Sequence, residues 1–413
     1  MSAERRQPVH VVYGGAHLFK RGTARRFGEL ALAAMDEHGE DARSFADAIG
    51  VAPELADEVW ARTRAKLAAE PVEDYRLDFE DGYGVRGDDE EDGHAASGAA
   101  EVAAGLREGT LPPFVGVRVK PLADGLDARA LRTLERFVAA LAERGAVPRG
   151  FVVTLPKVEA PAQVERLADA LDALEGRLGI ARESIGIELM IELPRAVIAA
   201  EGRFAIPALL AAGRPRVVAL HFGTYDYTAA LGVAASHQAM GHPACDFALG
   251  AIQACAAGTG VFVSDGATVT MPIGPHKAAP GATLGARERE ENTAVVRAAW
   301  REMATNVRRS LARGIWQGWD LHPAQLPVRH AITQAFFLAD LDAMAARLRN
   351  FVAASARATR VQERFDDAAT GRGLLQFFLR AIACGAMDEA DVADRVGVSV
   401  EALRARDLSA LLR

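Results

Sequence analysis

Two acidic residues, Glu192 and Asp226, stand just beyond two apolar, β-branched-rich runs, IGIELMI and RVVALHF, within residues 185–232. A helix-length stretch separates the runs, so the segment reads strand–helix–strand and its strands are parallel neighbours. Their carboxyl ends lie side by side, which sets two carboxylates facing each other. A pair of hard oxygen ligands with room for water and substrate suits Mg²⁺, which prefers octahedral oxygen and seldom takes an all-protein cage. The bland reading is two solvated loop acids or, for Asp226, an N-cap on the helix that follows.

Other strand-like runs also end in charge. DFEDGYG carries Glu80 and Asp81, with Gly82 and Gly84 permitting a tight exit turn. This pair either orients metal-bound waters or contacts backbone amides. In VGVRVKP, alternation places Arg118 and Lys120 on one face. A cation there suits a substrate carboxylate or an enolate oxygen, or else pairs with Glu80 or Asp81. Lys157 in TLPKVE either joins the substrate or neutralises nearby acids. His17 in YGGAHLFKRG is placed to touch an anionic substrate beside Lys20 and Arg21. Asp265 and His322 also end strand-like runs; His322, before a proline, reads as structural ahead of catalytic.

Positioning so many groups on one rim requires many parallel strands. Strand-length apolar runs recur at 10–15, 75–81, 114–120, 150–157, 185–192, 216–223, 260–266 and 318–323, with helix-patterned stretches between them. Alternation of this kind means an α/β fold with a parallel sheet. Eight such units fit a (β/α)8 TIM barrel with insertions, whose usual size is roughly 250 residues and whose chemistry sits at the strands' carboxyl ends. An open doubly wound sheet fits less well, since no GxGxxG follows an early strand.

Beyond residue 345 the pattern turns helical, so residues 1–345 read as the barrel and 346–413 as a C-terminal helical appendage. Two insertions, 85–98 (with the acidic run DDEED) and 271–288 (rich in Pro and Gly), read as surface loops. Residues 391–408 have helix–turn–helix spacing, but no basic recognition stripe accompanies them. With 413 residues, 25% charged and a net charge of -7, the chain is globular and lacks the basic surface of a nucleic-acid binder. Three scattered cysteines fit a reducing compartment without disulfides or zinc spacing. MSAERRQPVH has no apolar leader and no run reaches membrane-span length, so the expectation is a soluble, cytoplasmic protein without membrane partners.

The stretches DFEDGYG, VGVRVKP, TLPKVE, LMIELPRAVI, HFGTYDYTAALG and WDLHPAQLPV, in this order over about residues 75–330, resemble the citrate lyase β-subunit-like (CitE-like) proteins of the HpcH/HpaI aldolase superfamily. The resemblance implies a TIM barrel, Mg²⁺, and cleavage or formation of a carbon–carbon bond next to a carboxylate or thioester. It implies that Glu192 and Asp226 are the metal ligands, that Arg118 binds substrate oxygens, and that Glu80 and Asp81 are the family's acidic pair. The family's coenzyme-A-dependent lyases carry a catalytic aspartate in a C-terminal segment that reaches a neighbouring subunit. The nearest counterpart here is ERFDDAATGRG, with Asp366 and Asp367. The resemblance also implies a homo-oligomer, a trimer or hexamer. The opening VVYGGAHLFKRG and both insertions depart from the family pattern. The substrate is therefore expected to be a 2-oxo acid or its adduct, acyl-CoA or free. The alternatives are a coenzyme-A-independent pyruvate aldolase and a non-catalytic ligand-sensing barrel.

Overall fold

Runs rich in Val, Ile, Leu and Phe form eight strands: β1 His10–Gly15, β2 Asp74–Asp78, β3 Phe114–Arg118, β4 Val152–Leu155, β5 Gly186–Ile191, β6 Val217–Phe222, β7 Phe262–Ala267 and β8 Gln317–Trp319. The computed structural model describes residues 6–145, 147–357, 368–397, 399, 401 and 403. Every strand pairs in parallel with its sequence neighbour, and β1 closes on β8 with His10 opposite Gly318. This is the expected (β/α)8 TIM barrel. Its helices are α1 Thr23–Gly39, α2 Ala42–Ile49, α3 Ala56–Ala69, α4 Asp88–Glu108, α5 Asp127–Ala142, α6 Pro161–Leu178, α7 Pro194–Val197, α8 Ile206–Ala212, α9 Thr224–Ala230, α10 Pro243–Ala256, α11 Ala286–Ala312, α12 Leu326–Arg357, α13 Ala368–Ala383 and α14 Glu389–Val396.

Strand alternation sorts the side chains into two shells. Val12, Leu77, Val117, Val153, Leu189 and Phe222 join the main core between strands and helices. The opposite set, among them Arg76, Asp78, Arg118, Thr154, Glu188 and His221, is buried inside the barrel. Barrel interiors are ordinarily filled by branched apolar residues. Here the filling is polar, and its members are paired: Tyr13 on β1 donates across the axis to Glu188 on β5 at 2.6 Å, and Thr154 on the adjacent β4 donates to the same oxygen at 2.7 Å.

The acidic insertion differs from expectation. Residues 85–98 do not form a solvated loop, because Asp88 opens α4 and four acids occupy its first turn, where the helix dipole favours them. Asp92 accepts from Arg132 at 2.6 Å and pairs with Arg129 at 2.5 Å. Glu91 is buried and receives Lys120 at 2.6 Å and the Thr133 hydroxyl at 2.5 Å. The second insertion is irregular up to Gly285, where α11 begins. Asn292 fastens it by accepting from the His276 amide at 2.9 Å and donating to its carbonyl at 3.0 Å.

Helix α12 runs unbroken through residue 345. A second core, with Val9, Phe337, Leu341, Leu375, Phe378 and Val392, joins α12, α13 and α14 to the residue preceding β1. That is the amino-terminal floor of the barrel, opposite the rim where the strands end. Much of the second helix of the expected helix–turn–helix falls outside the described residues. Among the described residues no helix is long and apolar enough to cross a membrane.

Candidate active site

Glu192 follows β5 directly, on the same alternating face as Glu188 and Met190, and is 2% exposed. Its Oε1 accepts the Lys157 amide N–H at 2.7 Å. Lys157 adopts φ 50°, a left-handed conformation costly for a non-glycine residue and of a kind that clusters at functional sites. Space for Glu192 comes from β6, whose Phe222 pairs with Ile191. A Cβ on the next residue, Gly223, would fall 2.4 Å from Glu192 Cβ and 2.7 Å from its Oε2. Gly223 is therefore needed for close approach.

Asp226 is not the N-cap of α9; Gly223 holds that position and Asp226 sits in the first turn. Burial, together with the charges of Asp226 and Glu80, pushes the Glu192 carboxyl up to about 7 against the opposing pull of Lys157. Three carboxylates thus feel one another at the end of β5.

Glu80 and Asp81 part company. Glu80 is nearly buried and pairs with Lys157 Nζ and with Arg118, whose Nη1 lies 3.0 Å from Glu80 Oε2. Asp81 points outward and meets Lys157 only at 3.4 Å. Burial raises the Glu80 carboxyl, and Arg118 and Lys157 only partly offset it. For Lys157, burial works against the charge, but Glu80, Glu192 and Asp81 hold its proton more tightly than usual.

Arg118 is held by a residue that the reading of charged strand ends passed over. Asp78 receives Arg118 Nε at 2.7 Å and Nη2 at 2.5 Å in a two-pronged pair. The same carboxylate accepts the amides of Glu80 at 2.9 Å and Gly82 at 2.7 Å, so it also shapes the DFEDGYG turn. A Cβ on Gly82 would lie 2.6 Å from Asp78 Oδ2. Burial opposes the charge of Arg118, yet Asp78 and Glu80 raise its proton affinity overall. Among the described residues its third nitrogen, Nη1, hydrogen-bonds Met190 Sδ at 3.6 Å and pairs with Glu80 Oε2 by charge, without the alignment of a hydrogen bond. An N–H on that edge can therefore serve a ligand oxygen beside Glu80.

Other expected residues stand apart. Lys120 leaves the face of Arg118, since β3 ends there, and binds Glu91 and the Phe79 carbonyl at 2.9 Å. Asp265 is enclosed by the Ser310 hydroxyl at 2.6 Å and the Gly266 amide at 2.8 Å. His322 caps the turn after β8 by accepting the Ala324 amide at 3.2 Å, a structural role. His17 packs beside Tyr83 and His94, with ring centroids at 5.5 and 5.8 Å. Burial, then the Arg86 and His94 charges, lower its proton affinity, so it is neutral at pH 7. Arg21 turns to Glu108 at 3.1 Å. Asp366 and Asp367 lie outside the described residues.

The donor set fits Mg²⁺. Glu192 and Asp226 offer hard oxygens, the surplus of negative charge around Glu192 lacks a full counter-charge, and Gly223 keeps the approach to Glu192 Oε2 clear. Among the described residues no group of three or more His, Cys, Asp or Glu side chains has metal-holding geometry. A carboxylate pair with waters and substrate is the arrangement Mg²⁺ tolerates best.

No curated protein matches the sequence. Among solved structures, the chain is similar to Haloferax volcanii malate synthase at 3 mM glyoxylate, with 14% identity over 99% of both chains and a TM-score of 0.48. It is similar to the magnesium/glyoxylate complex of the same enzyme, with 16% identity over 98% of this chain and 99% of that one, at a TM-score of 0.47. A further similar structure is an HpcH/HpaI aldolase/citrate lyase family protein from Burkholderia cenocepacia J2315, with 16% identity over 76% of this chain and 96% of that one, at 0.39. The chain belongs to the family described as "Domain of unknown function (DUF6986)", which it matches over residues 2–411.

Proposed function

We propose that this protein is a Mg²⁺-dependent carbon–carbon lyase or aldolase of CitE-like type, acting on a 2-oxo acid or its adduct, with an acyl-CoA thioester among the candidate substrates. The observation that carries this reading is a charged arginine, locked by Asp78 with Nη1 turned to Glu80 but not hydrogen-bonded to it, beside a carboxylate group whose negative charge is not fully balanced. Glu192 and Asp226 would hold the ion. When bound, it supplies Lewis-acid polarisation of the keto oxygen and a template for the substrate carboxylate.

The chain's own groups do the rest. Arg118 Nη1 donates to the oxygen on which enolate or alkoxide charge develops, and its fixed orientation spares reorganisation during the reaction. The Lys157 amide aims Glu192, while the Lys157 ammonium engages Glu80 in an ion pair. Asp366 or Asp367 moves the proton. By the family resemblance, such a C-terminal segment would act on a neighbouring protomer's rim within a homo-oligomer.

Thermal-shift and calorimetric titrations with glyoxylate, pyruvate, oxaloacetate and acyl-CoA thioesters, with and without Mg²⁺, test this reading. The expected result is Mg²⁺-dependent stabilisation by at least one 2-oxo acid, abolished in Glu192→Gln and Asp226→Asn. Stabilisation that needs neither carboxylate would sink it.

A further inference from the structure

The guanidinium of Arg118 is fixed by more than Asp78. Its Cζ lies 4.9 Å from the Tyr13 ring centroid and 5.5 Å from that of Trp319. The two rings pack against each other at 4.7 Å, and His221 packs edge-on to Tyr13 at 5.6 Å. Tyr13 is anchored in turn by its hydroxyl, which donates to Glu188, and Glu188 is held by Thr154. The neighbouring strands β1 and β8, with His221 from β6 and the Glu188 anchor from β5, thereby build one aromatic layer inside the barrel.

We propose that Tyr13, supported by Trp319, is a positioning residue for Arg118. Its ring face sets the plane of the guanidinium and so the direction in which Nη1, beside Glu80 Oε2, meets a ligand oxygen. Asp78 can fix one edge of a planar fork but leaves rotation about that edge open. The aromatic faces close it, because a desolvated cation over a ring is attracted by the ring's negative face. The Tyr13 hydroxyl matters only by anchoring the ring, so its removal should count for less than loss of the ring.

The positional part rests on the geometry alone; the effect on ligand binding rests on the functional reading above. Two measurements separate them. In ¹⁵N-arginine-labelled protein, the Arg118 side-chain signal, assigned by its loss in Arg118→Lys, should carry a ring-current shift. Tyr13→Phe should keep that shift, and Tyr13→Leu should move it towards the position of an unstacked arginine. A signal unchanged in Tyr13→Leu would overturn the proposal, whether or not any ligand binds. Should Tyr13→Leu fail to fold, Trp319→Leu against Trp319→Phe asks the same question from the second ring.

Calorimetry with glyoxylate at saturating Mg²⁺ then reads the consequence. Tyr13→Phe should bind within threefold of the wild type and Tyr13→Leu at least tenfold more weakly. In an Arg118→Lys background, Tyr13→Leu should add little further loss. Equal losses in both backgrounds would mean that Tyr13 acts independently of Arg118 and would overturn the proposal. A wild type that binds no 2-oxo acid would count against the functional reading, while the spectral test of positioning would still decide this one.

Discussion

A buried carboxylate kept for a cation is a liability to the protein without that cation. Glu192 titrates near 7 in the folded chain because of burial and two acidic neighbours, against about 4.3 when free. The folded state therefore binds the Glu192 proton more tightly than the unfolded one. Its contribution favours folding at low pH and is lost as pH rises towards and through 7. Glu192→Gln should then stabilise metal-free protein in EDTA at pH 8, on the order of 2–3 kcal/mol, while eliminating stabilisation by Mg²⁺. Mg²⁺ affinity of the wild type should fall roughly tenfold per pH unit below about 7, since the ion must displace that proton. A lower melting temperature for Glu192→Gln in EDTA would refute the charge argument. Glu192 and Asp226 stood out in the sequence because charge ends an apolar run. Asp78 did not, although period-two alternation through YRLDFED sets Arg76, Asp78 and Glu80 on one face. The expected alternation of Arg118 with Lys120 failed because β3 stops at Arg118 and alternation stops with it.

At the scale of elements, the eight strands were legible because buried parallel strands read as nearly continuous apolar runs. Helix α4 was not, because DDEEDG looks like solvated loop chemistry. Acids in a first helical turn carry the same composition with a different cause, the helix dipole and a row of basic partners on the next helix. Glu91 is the member that ties elements together, since its carboxylate binds Lys120 beyond β3 and Thr133 on α5. Glu91→Ala should leave Lys120 half-buried with only the Phe79 carbonyl. Removing one partner of a buried ion pair costs about 3–5 kcal/mol, and the partial exposure of Lys120 reduces that to roughly 2–3 kcal/mol. Urea unfolding of Glu91→Ala and Asp89→Ala separates the two readings of the run. A solvated loop predicts equal, negligible effects, whereas the anchored helix predicts a large loss for Glu91 alone.

Across the whole molecule, the rim and the floor of the barrel use buried charge in opposite ways. At the rim, burial and crowding raise the proton affinity of Glu192 and Glu80; at the floor, Glu73 and Asp320 are matched to cations that lower theirs. Glu73, fully buried, accepts from Lys66 at 2.6 Å and the Val9 amide at 2.8 Å and pairs with Arg6 at 3.1 Å. Burial would raise its carboxyl, but Lys66 and Arg6 win and hold it down at about 2. Asp320 behaves alike, as Arg329 and His10 overcome burial to keep it at about 2. His330, whose Nε2 donates to the Pro71 carbonyl at 2.9 Å at the same floor, is pushed down by burial and then by His10 to about 3. The floor also anchors the C-terminal helices through Val9 and Phe337, so its loss should detach them together with the barrel. A depressed carboxylate contributes stability above its unfolded value near 4 and loses it as pH falls towards 2. A buried neutral histidine contributes fully above about 6.5 and progressively less as the unfolded chain takes up a proton. Each group is worth on the order of 2–4 kcal/mol, and the three together rival a typical total stability of about 5–15 kcal/mol. Between about pH 7 and 4.5 the loss from His330 is opposed by the raised Glu192 and Asp74 carboxyls, so the urea midpoint should fall chiefly below about pH 4.5, more steeply towards pH 2, and reach zero before pH 2. Glu73→Gln should flatten the steeper limb while lowering the midpoint at pH 7. A midpoint that stays level from pH 4.5 to 2.5 would mean that the floor carries its charges without drawing stability from them.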